Sequence, residues 1–268
     1  MIHEAPVDAL LDIIYEDDSV LVVNKPAGLV CHPTKGDALS SLISRMRLHL
    51  GENARPQLVN RLDRETSGVI VAAKNPEAAR ELRQLWEGRQ TRKEYLAIVH
   101  GHVVNDAGVI DAPLGRDESS PVAIKDCVRP DGAPCRSEYA VLERFNRIIH
   151  DADAGQPAGS GCDAGRLRPF TLLRVIPHTG RKHQIRIHLA WLGHPIVGDK
   201  IYGGDERLYL DFVFGRLTEQ QKRRLILPHQ ALHAACLKFT WRGREWQFES
   251  RPEPWFEDFY RTGSTAAQ

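Results

Sequence analysis

A chain of 268 residues, 42% hydrophobic and 26% charged, is long enough and apolar enough to bury a large core, as one large domain or two smaller ones. Nothing in it approaches eighteen consecutive apolar residues, which excludes a transmembrane helix, and the acidic segment Met1–Leu11 is too poor in apolar residues for a secretory signal, so a cytoplasmic protein is expected. The formal net charge of +1 leaves a nucleic-acid partner open, because phosphates respond to the local field rather than to the total.

In chain order, Val20 to Asn24 reads as a short β-branched strand ended by the turn Lys25-Pro26-Ala27-Gly28. Ala38 to Leu50 has apolar residues at helical spacing. Val69 to Ala73 is an apolar run of strand length closed by Asn75-Pro76, and Glu77 to Trp86 is helical, with Leu82, Leu85 and Trp86 on one face. Tyr95 to Val99, Cys135 to Phe145 and Phe170 to Ile176 are further strands. A helix is expected from about Lys182 to Leu192, with Gly193 as its stop signal. Leu237 to Trp241 and Trp246 to Glu249 flank Arg242-Gly243-Arg244-Glu245 as a hairpin. Asp151 to Gly165, rich in Gly, Ala and Asp, reads as a mobile insertion in a hairpin, and Thr262 to Gln268 as a disordered tail. Many strands, few helices and no regular β–α alternation indicate an α+β fold on a mixed or antiparallel sheet.

The five cysteines, Cys31, Cys127, Cys135, Cys162 and Cys236, are scattered and form no Cys-x-x-Cys pair, as expected of reduced residues filling space. Positive charge is segregated. Arg174 to His188 holds Arg174, Arg181, Lys182 and Arg186 with three histidines and no acid, and Arg61, Arg64, Arg89, Arg92 and Lys93 lie upstream. Such a distribution suits a basic face against a polyanion, or a solvated surface with chance clustering.

Two segments carry chemistry. Asn60-Arg61-Leu62-Asp63-Arg64-Glu65-Thr66-Ser67-Gly68 sets a carboxylate between two arginines immediately before a buried strand, with Thr66, Ser67 and Gly68 suited to a tight turn. A surface turn with an ion pair is the plainer reading of those residue types. In His178-Thr179-Gly180-Arg181-Lys182-His183-Gln184-Ile185-Arg186-Ile187-His188, Gly180 permits a sharp entry and the helix start attracts an anion. Arg186, on the first or second turn, is placed to reach a carboxylate from another segment. The plain alternative is a basic, solvated helix start, which the lack of any nearby acid disfavours.

At this point a resemblance becomes specific. Asn60 to Gly68 resembles the H-R-L-D-x-x-T-S-G signature of the RluA-type pseudouridine synthases, and Thr179 to His188 is similar to their T-G-R-x-H-Q-I-R-x-H segment. Lys93-Glu94-Tyr95 resembles their K-x-Y motif and Asn24 to Gly28 their N-K-P-A-G. His194-Pro195-Ile196, Gly198-Asp199, Tyr202-Gly203 and Leu232-His233-Ala234 follow in the family's order, from about Asp12 to Phe256. The resemblance implies one α+β catalytic domain over residues 12–260, preceded by a short N-terminal extension over 1–11. It also implies a mixed, mostly antiparallel sheet flanked by helices, and two halves around a basic cleft. A small extra N-terminal RNA-binding domain, which many relatives carry, is not expected.

The same resemblance makes Asp63 the catalytic carboxylate, Tyr95 the aromatic stacked on the target uracil, and Arg186 the ion-pair partner of Asp63. Arg61 enters the space left by the flipped nucleotide, Leu232 supplies an apolar wall, and Leu62, Arg64, Arg181, His183 and Gln184 contact substrate. The implied reaction isomerises uridine to pseudouridine in structured ribosomal or transfer RNA by a cytoplasmic monomer, with no cofactor, metal, membrane or obligate protein partner. Asn60 departs from the family's histidine, and Asp117 to Gly165 matches poorly, which touches target choice rather than chemistry.

Two rivals come from other classes. His229 and His233 sit four apart, as zinc ligands on one helical face do, although Gln230 stands where a general-base glutamate belongs. A non-catalytic RNA-binding module would explain the basic segments, but not a carboxylate set among them.

Overall fold

The computed structural model describes residues 10–33, 40–51, 53–150 and 165–261. The expected insertion, apart from Gly165, the tail at 262–268 and the N-terminal extension through residue 9 lie outside the described residues. The chain forms two compact units, Met1–Glu94 with His233–Glu253, and Tyr95–Leu232 with Pro254–Gln268.

The first unit opens with β1 (Asp12–Glu16) and β2 (Val20–Lys25), antiparallel across a turn in which the Asp17 carboxylate accepts from the Ser19 and Val20 amides, both at 2.8 Å. After α1 (Leu42–Leu50) and the short β3 (Gln57–Leu58) comes β4 (Ser67–Ala73), every residue of which is buried. A strand with neighbours on both sides and cover on both faces reads as a continuous apolar run, and Val69 to Ala73 is that run. Asn75-Pro76 does more than close the strand. Asn75 caps α2 (Pro76–Glu87) by accepting from the Ala78 amide at 2.9 Å, and Pro76 takes the first helical position, where its missing N–H is no loss. Ala78, Ala79 and Leu82 then pack with Val71, Ala73, Phe239 and Trp241.

The chain enters the second unit along β5 (Thr91–His100) and continues through β6 (Ala107–Asp111), β7 (Leu114–Arg116), β8 (Asp126–Val128), β9 (Arg136–Ile149) and β10 (Arg166–Pro177). Within this unit β5, β10, β9 and β6 are neighbours in that order, all antiparallel, while β7 and β8 make a separate ribbon. Four helices follow: α3 (Gln184–Trp191), α4 (Arg207–Val213), α5 (Glu219–Leu225) and α6 (Pro254–Arg261). The core centres on Phe145, Phe170 and Phe259, whose rings lie 5.1–6.0 Å apart at stacked and edge-on angles. Arg147 lays its guanidinium 4.8 Å from the Phe259 ring and donates to the Asp258 and Phe259 carbonyls, holding the end of α6 in place.

Between α5 and α6, β11 (Leu232–Trp241) and β12 (Arg244–Glu249) return to the first unit. They turn through Arg242 and Gly243, both at positive φ (50° and 72°), which matches the twist of a two-residue hairpin. There β11 runs parallel to β4, with His233 opposite Ser67 and Ala234 opposite Gly68. The fold is α+β with mixed, mostly antiparallel pairing, as expected from the sequence.

Candidate active site

The Asp63 loop is held through its backbone. Lys25, at the end of β2, is 0% exposed and donates from Nζ to the carbonyls of Pro26 (2.8 Å), Leu29 (2.9 Å) and Arg64 (3.1 Å). Gly28 donates its amide to the same Arg64 carbonyl at 2.9 Å, and Arg64 Nε returns a bond to the Gly28 carbonyl at 3.1 Å. Cys31 Sγ reaches the Leu62 carbonyl at 3.3 Å, and the Thr66 amide closes a turn on the Asp63 carbonyl at 3.2 Å. A buried ammonium satisfied by three carbonyls joins the 25–31 turn to the 62–64 loop. Burial pushes Lys25 down to about 8, against the upward pull of Cys31, Glu253, Asp63 and Glu65.

At the start of the loop, Asn60 stands where the family pattern has histidine. Its Nδ2 donates to the Val69 carbonyl at 3.1 Å and its Oδ1 accepts from the Val71 amide at 2.8 Å, so the amide pairs with β4 as a strand residue would. At the other end, Ser67 Oγ is hydrogen-bonded to Nδ1 of the fully buried His233 at 2.9 Å, and His233 Nε2 meets the Ser250 carbonyl at 3.1 Å. Because a carbonyl only accepts, Nε2 carries the ring proton and Nδ1 takes the Ser67 hydroxyl.

Burial pushes His233 down to about 4, against the bond to Ser250. The folded chain therefore keeps this ring neutral where the unfolded chain protonates it. The stability it supports is complete above pH 6.5 and is lost as pH falls toward 4. His100 is lowered to about 4 as well, by burial and Arg168, and acts in the same direction. Urea unfolding at pH 7.5 and at pH 5 should show a loss of about 2 kcal/mol from His233 at the lower pH, and His233→Asn should flatten the dependence. Equal midpoints at both pH values would contradict the assignment.

In the second segment, His183 immediately precedes α3 at the N-cap position, takes a left-handed conformation (φ 54°) and offers no side-chain cap. Gly180, read from the sequence as the sharp entry, has open space where a Cβ would stand; the strained residue is His183. Gln184 instead ties together the turn that precedes the helix. Its Oε1 accepts from Thr179 Oγ1 (2.8 Å) and the Arg181 amide (3.1 Å), and its Nε2 donates to the Arg136 carbonyl and Ser137 Oγ, both at 2.9 Å. Buried, with its amide oxygen and nitrogen both engaged, it shapes the turn. Ser137 passes the chain on to buried His188 Nδ1 at 2.9 Å, whose Nε2 donates to the Ala112 carbonyl at 3.0 Å.

The acids that the sequence lacked near this segment come from elsewhere in the second unit. His178 meets Glu138 at 2.9 Å, Lys182 meets Asp126 at 3.1 Å, and Arg186 holds Asp199 through Nε–Oδ2 at 2.7 Å and Nη2–Oδ1 at 2.9 Å. Gly193 stops the helix at φ 90°, with its amide on the Ala190 carbonyl, as expected.

The family described as RNA pseudouridylate synthase matches residues 19–191, a span that holds both the Asp63 loop and α3. The chain belongs to the RNA pseudouridylate synthase family. An uncharacterized RNA pseudouridine synthase of Aquifex aeolicus is 40% identical over 205 residues, covering 74% of this chain and 58% of the relative. The ribosomal large subunit pseudouridine synthase D of Pseudomonas aeruginosa is 37% identical over 236 residues, covering 86% and 64%. The chain thus spans about three fifths of the length of these curated relatives. Among solved structures, human RNA pseudouridylate synthase domain containing 4 superposes with a TM-score of 0.65 at 26% identity, covering 92% of this chain and 90% of that one. The human domain containing 1 shares the fold, with a TM-score of 0.67 at 24% identity over 94% and 87% of the two chains.

In this chain, Arg61, Leu62, Asp63 and Arg64 share one loop of the first unit, with Asp63 half-exposed, Arg61 and Arg64 exposed and Leu62 buried. Tyr95, Arg181, His183, Gln184, Arg186 and Leu232 belong to the second. Tyr95 is half-buried on β5 opposite Val175, and Leu232 is buried at the start of β11. The rival metal pair loses its premise, since His229 precedes β11 in coil and His233 lies on the strand, so the two share no helical face. Sequence reasoning passed over Lys25, Asp199 and Tyr202 as individual residues. The signal for Lys25 was a lysine directly after a buried β-branched strand and before Pro-Ala-Gly.

Proposed function

We propose that this chain isomerises uridine to pseudouridine in structured RNA, with Asp63 as the essential carboxylate. The observation that carries the reading is a half-exposed aspartate on a loop whose backbone is pinned from two directions, in a chain of this family. Reactions that detach and reattach a base need a carboxylate aimed to within a fraction of an ångström, and a loop tied down by its carbonyls leaves the side chain available for that task.

In this reading Asp63 acts either as a nucleophile at the sugar or ring, or as a base beside the anomeric carbon. Arg186 keeps it ionised and aimed. Tyr95 stacks on the uracil and takes the proton released from the ring carbon. Base chemistry within a folded RNA requires the nucleotide to leave its stack, at about a few kcal/mol, and Arg61 fills the gap. Arg64, Arg181 and His183 meet the RNA, and Leu232 lies beneath the base. No cofactor takes part, and the chain works as a cytoplasmic monomer. Relatives named for the ribosomal large subunit favour its RNA over transfer RNA as the substrate.

The test uses the purified chain on unmodified large-subunit ribosomal and transfer RNA transcripts, with pseudouridine mapped at nucleotide resolution. One or a few uridines of the ribosomal transcript should convert. Conversion of transfer RNA alone would redirect the substrate, and conversion of neither would overturn the activity.

A further inference from the structure

We propose that Asp199 is a positioning residue for the reaction: it aims Arg186 by gripping its guanidinium with both carboxylate oxygens. The inference rests on the reading of Arg186 given above and assigns a role to a second carboxylate that does not itself meet the substrate.

Arg186 is the third residue of α3, and its side chain is 5% exposed. A planar guanidinium on a long flexible stem has many orientations, and a two-pronged carboxylate selects one of them. Asp199 supplies that fork, with side-chain exposure of 0% and contacts of 2.7 and 2.9 Å on adjacent nitrogens.

The carboxylate is itself fixed before it meets the arginine. Its Oδ1 accepts from the Ile201 amide at 2.9 Å and the Tyr202 amide at 3.0 Å. Its backbone is closed by Asp199 N to Ile196 O at 3.2 Å and Gly203 N to Asp199 O at 3.1 Å. Gly198, just before it, has φ 80° and lies so close to the His229 carbonyl that an added Cβ would stand 2.3 Å from that oxygen. The turn has little room to shift.

A second surface restrains the guanidinium from another side. The Tyr202 ring centroid lies 5.1 Å from it, and the Tyr202 hydroxyl is hydrogen-bonded to His183 Nδ1 at 2.9 Å and accepts from the Asp126 amide at 3.3 Å. Burial raises the Asp199 carboxyl, but Arg186 and the two amides more than reverse this and hold it below the usual carboxylate range. Two of the five guanidinium donors face Asp199, so the fork fixes the plane in which the remaining donors point.

A buried pair is a poor way to gain stability when an apolar pair of the same volume would serve, which favours an orienting role over a merely structural one. The experiment measures single-turnover conversion, RNA affinity and thermal unfolding on whichever unmodified transcript the wild-type chain converts. Asp199→Asn keeps an acceptor for the two amides but sets an NH₂ group or a neutral oxygen against the arginine. It should slow conversion about a hundredfold, the effect of a displacement near 1 Å, with RNA affinity within about threefold. Asp199→Glu restores the charge but moves it by one methylene; it should recover thermal stability without recovering the rate. The double variant with Arg186→Lys should be no slower than Arg186→Lys alone, because Asp199 acts only through the arginine.

A wild-type rate in either single variant, losses that multiply in the double variant, or failure of both single variants to fold would each overturn the proposal. Failure of the underlying reading is distinct, since then the wild-type chain converts no uridine or Arg186→Lys keeps the full rate.

Discussion

Asp63→Asn should lower single-turnover conversion by about a thousandfold or more while the chain stays folded and bound to RNA, the pattern of a group needed only for reaction. The structure explains why the two effects separate. The loop is held by the Leu62, Asp63 and Arg64 carbonyls, which accept from Cys31, Thr66, Gly28 and Lys25, and asparagine keeps every one of those bonds. The charge removed ranks behind Cys31 and Glu253 among the groups that support the Lys25 ammonium, so the melting temperature should move by only a few degrees. Removing a carboxylate set between two arginines also lessens repulsion of phosphate, so affinity should hold or rise. The assay pairs conversion with thermal unfolding and RNA binding. Unfolding of the variant, with activity lost only in proportion, would return Asp63 to a structural role.

Local signals carried most of what could be read ahead of the structure. Val69 to Ala73, the Asn75-Pro76 helix start, Gly193 and the Arg242-Gly243 hairpin all act within a few residues, and each element lies where those residues imply. Elements without such signals were missed. β1 sets Ile13, Ile14 and Tyr15 side by side without alternation and has an irregular register between Ile13 and Tyr15. α4 and α5 are seven residues long, each burying a single leucine, too short for a helical period to emerge.

In the candidate site the limit is of another kind. Asp63 was legible as a carboxylate in a basic setting, but partners that meet through the fold were not. The segment from Arg174 to His188 looked starved of acids, yet Glu138, Asp126 and Asp199 reach it from β9, β8 and a following turn. Sequence distance is a poor guide to the Coulomb partner of a side chain. The left-handed His183 has no compositional signature, since only Gly and, less often, Asn or Asp announce that conformation.

The second large effect concerns the glycine that ends the Asp63 loop. Gly68→Ala should destabilise the chain by about 3–5 kcal/mol, the range of severe core lesions, and lower the melting temperature by roughly 10 °C. A Cβ at Gly68 would stand 2.3 Å from the Ala234 carbonyl oxygen and 2.6 Å from its nitrogen. Both are backbone atoms of β11, so no side-chain rotation relieves the clash. The φ of 118° adds strain of its own, because an L side chain rarely adopts it. Relief requires β4 and β11 to part where they pair, at Gly68–Ala234 and Ser67–His233, which also loosens the Ser67 bond to His233. The loop loses its downstream anchor five residues from Asp63, so conversion by the remaining folded fraction should fall as well. Gly180→Ala is the control: with nothing within 4 Å of the added methyl, its melting temperature should match the wild type. Were both variants equally stable, close strand contact at Gly68 would not be what secures the Asp63 loop, leaving the Lys25 and Gly28 bonds to hold it alone.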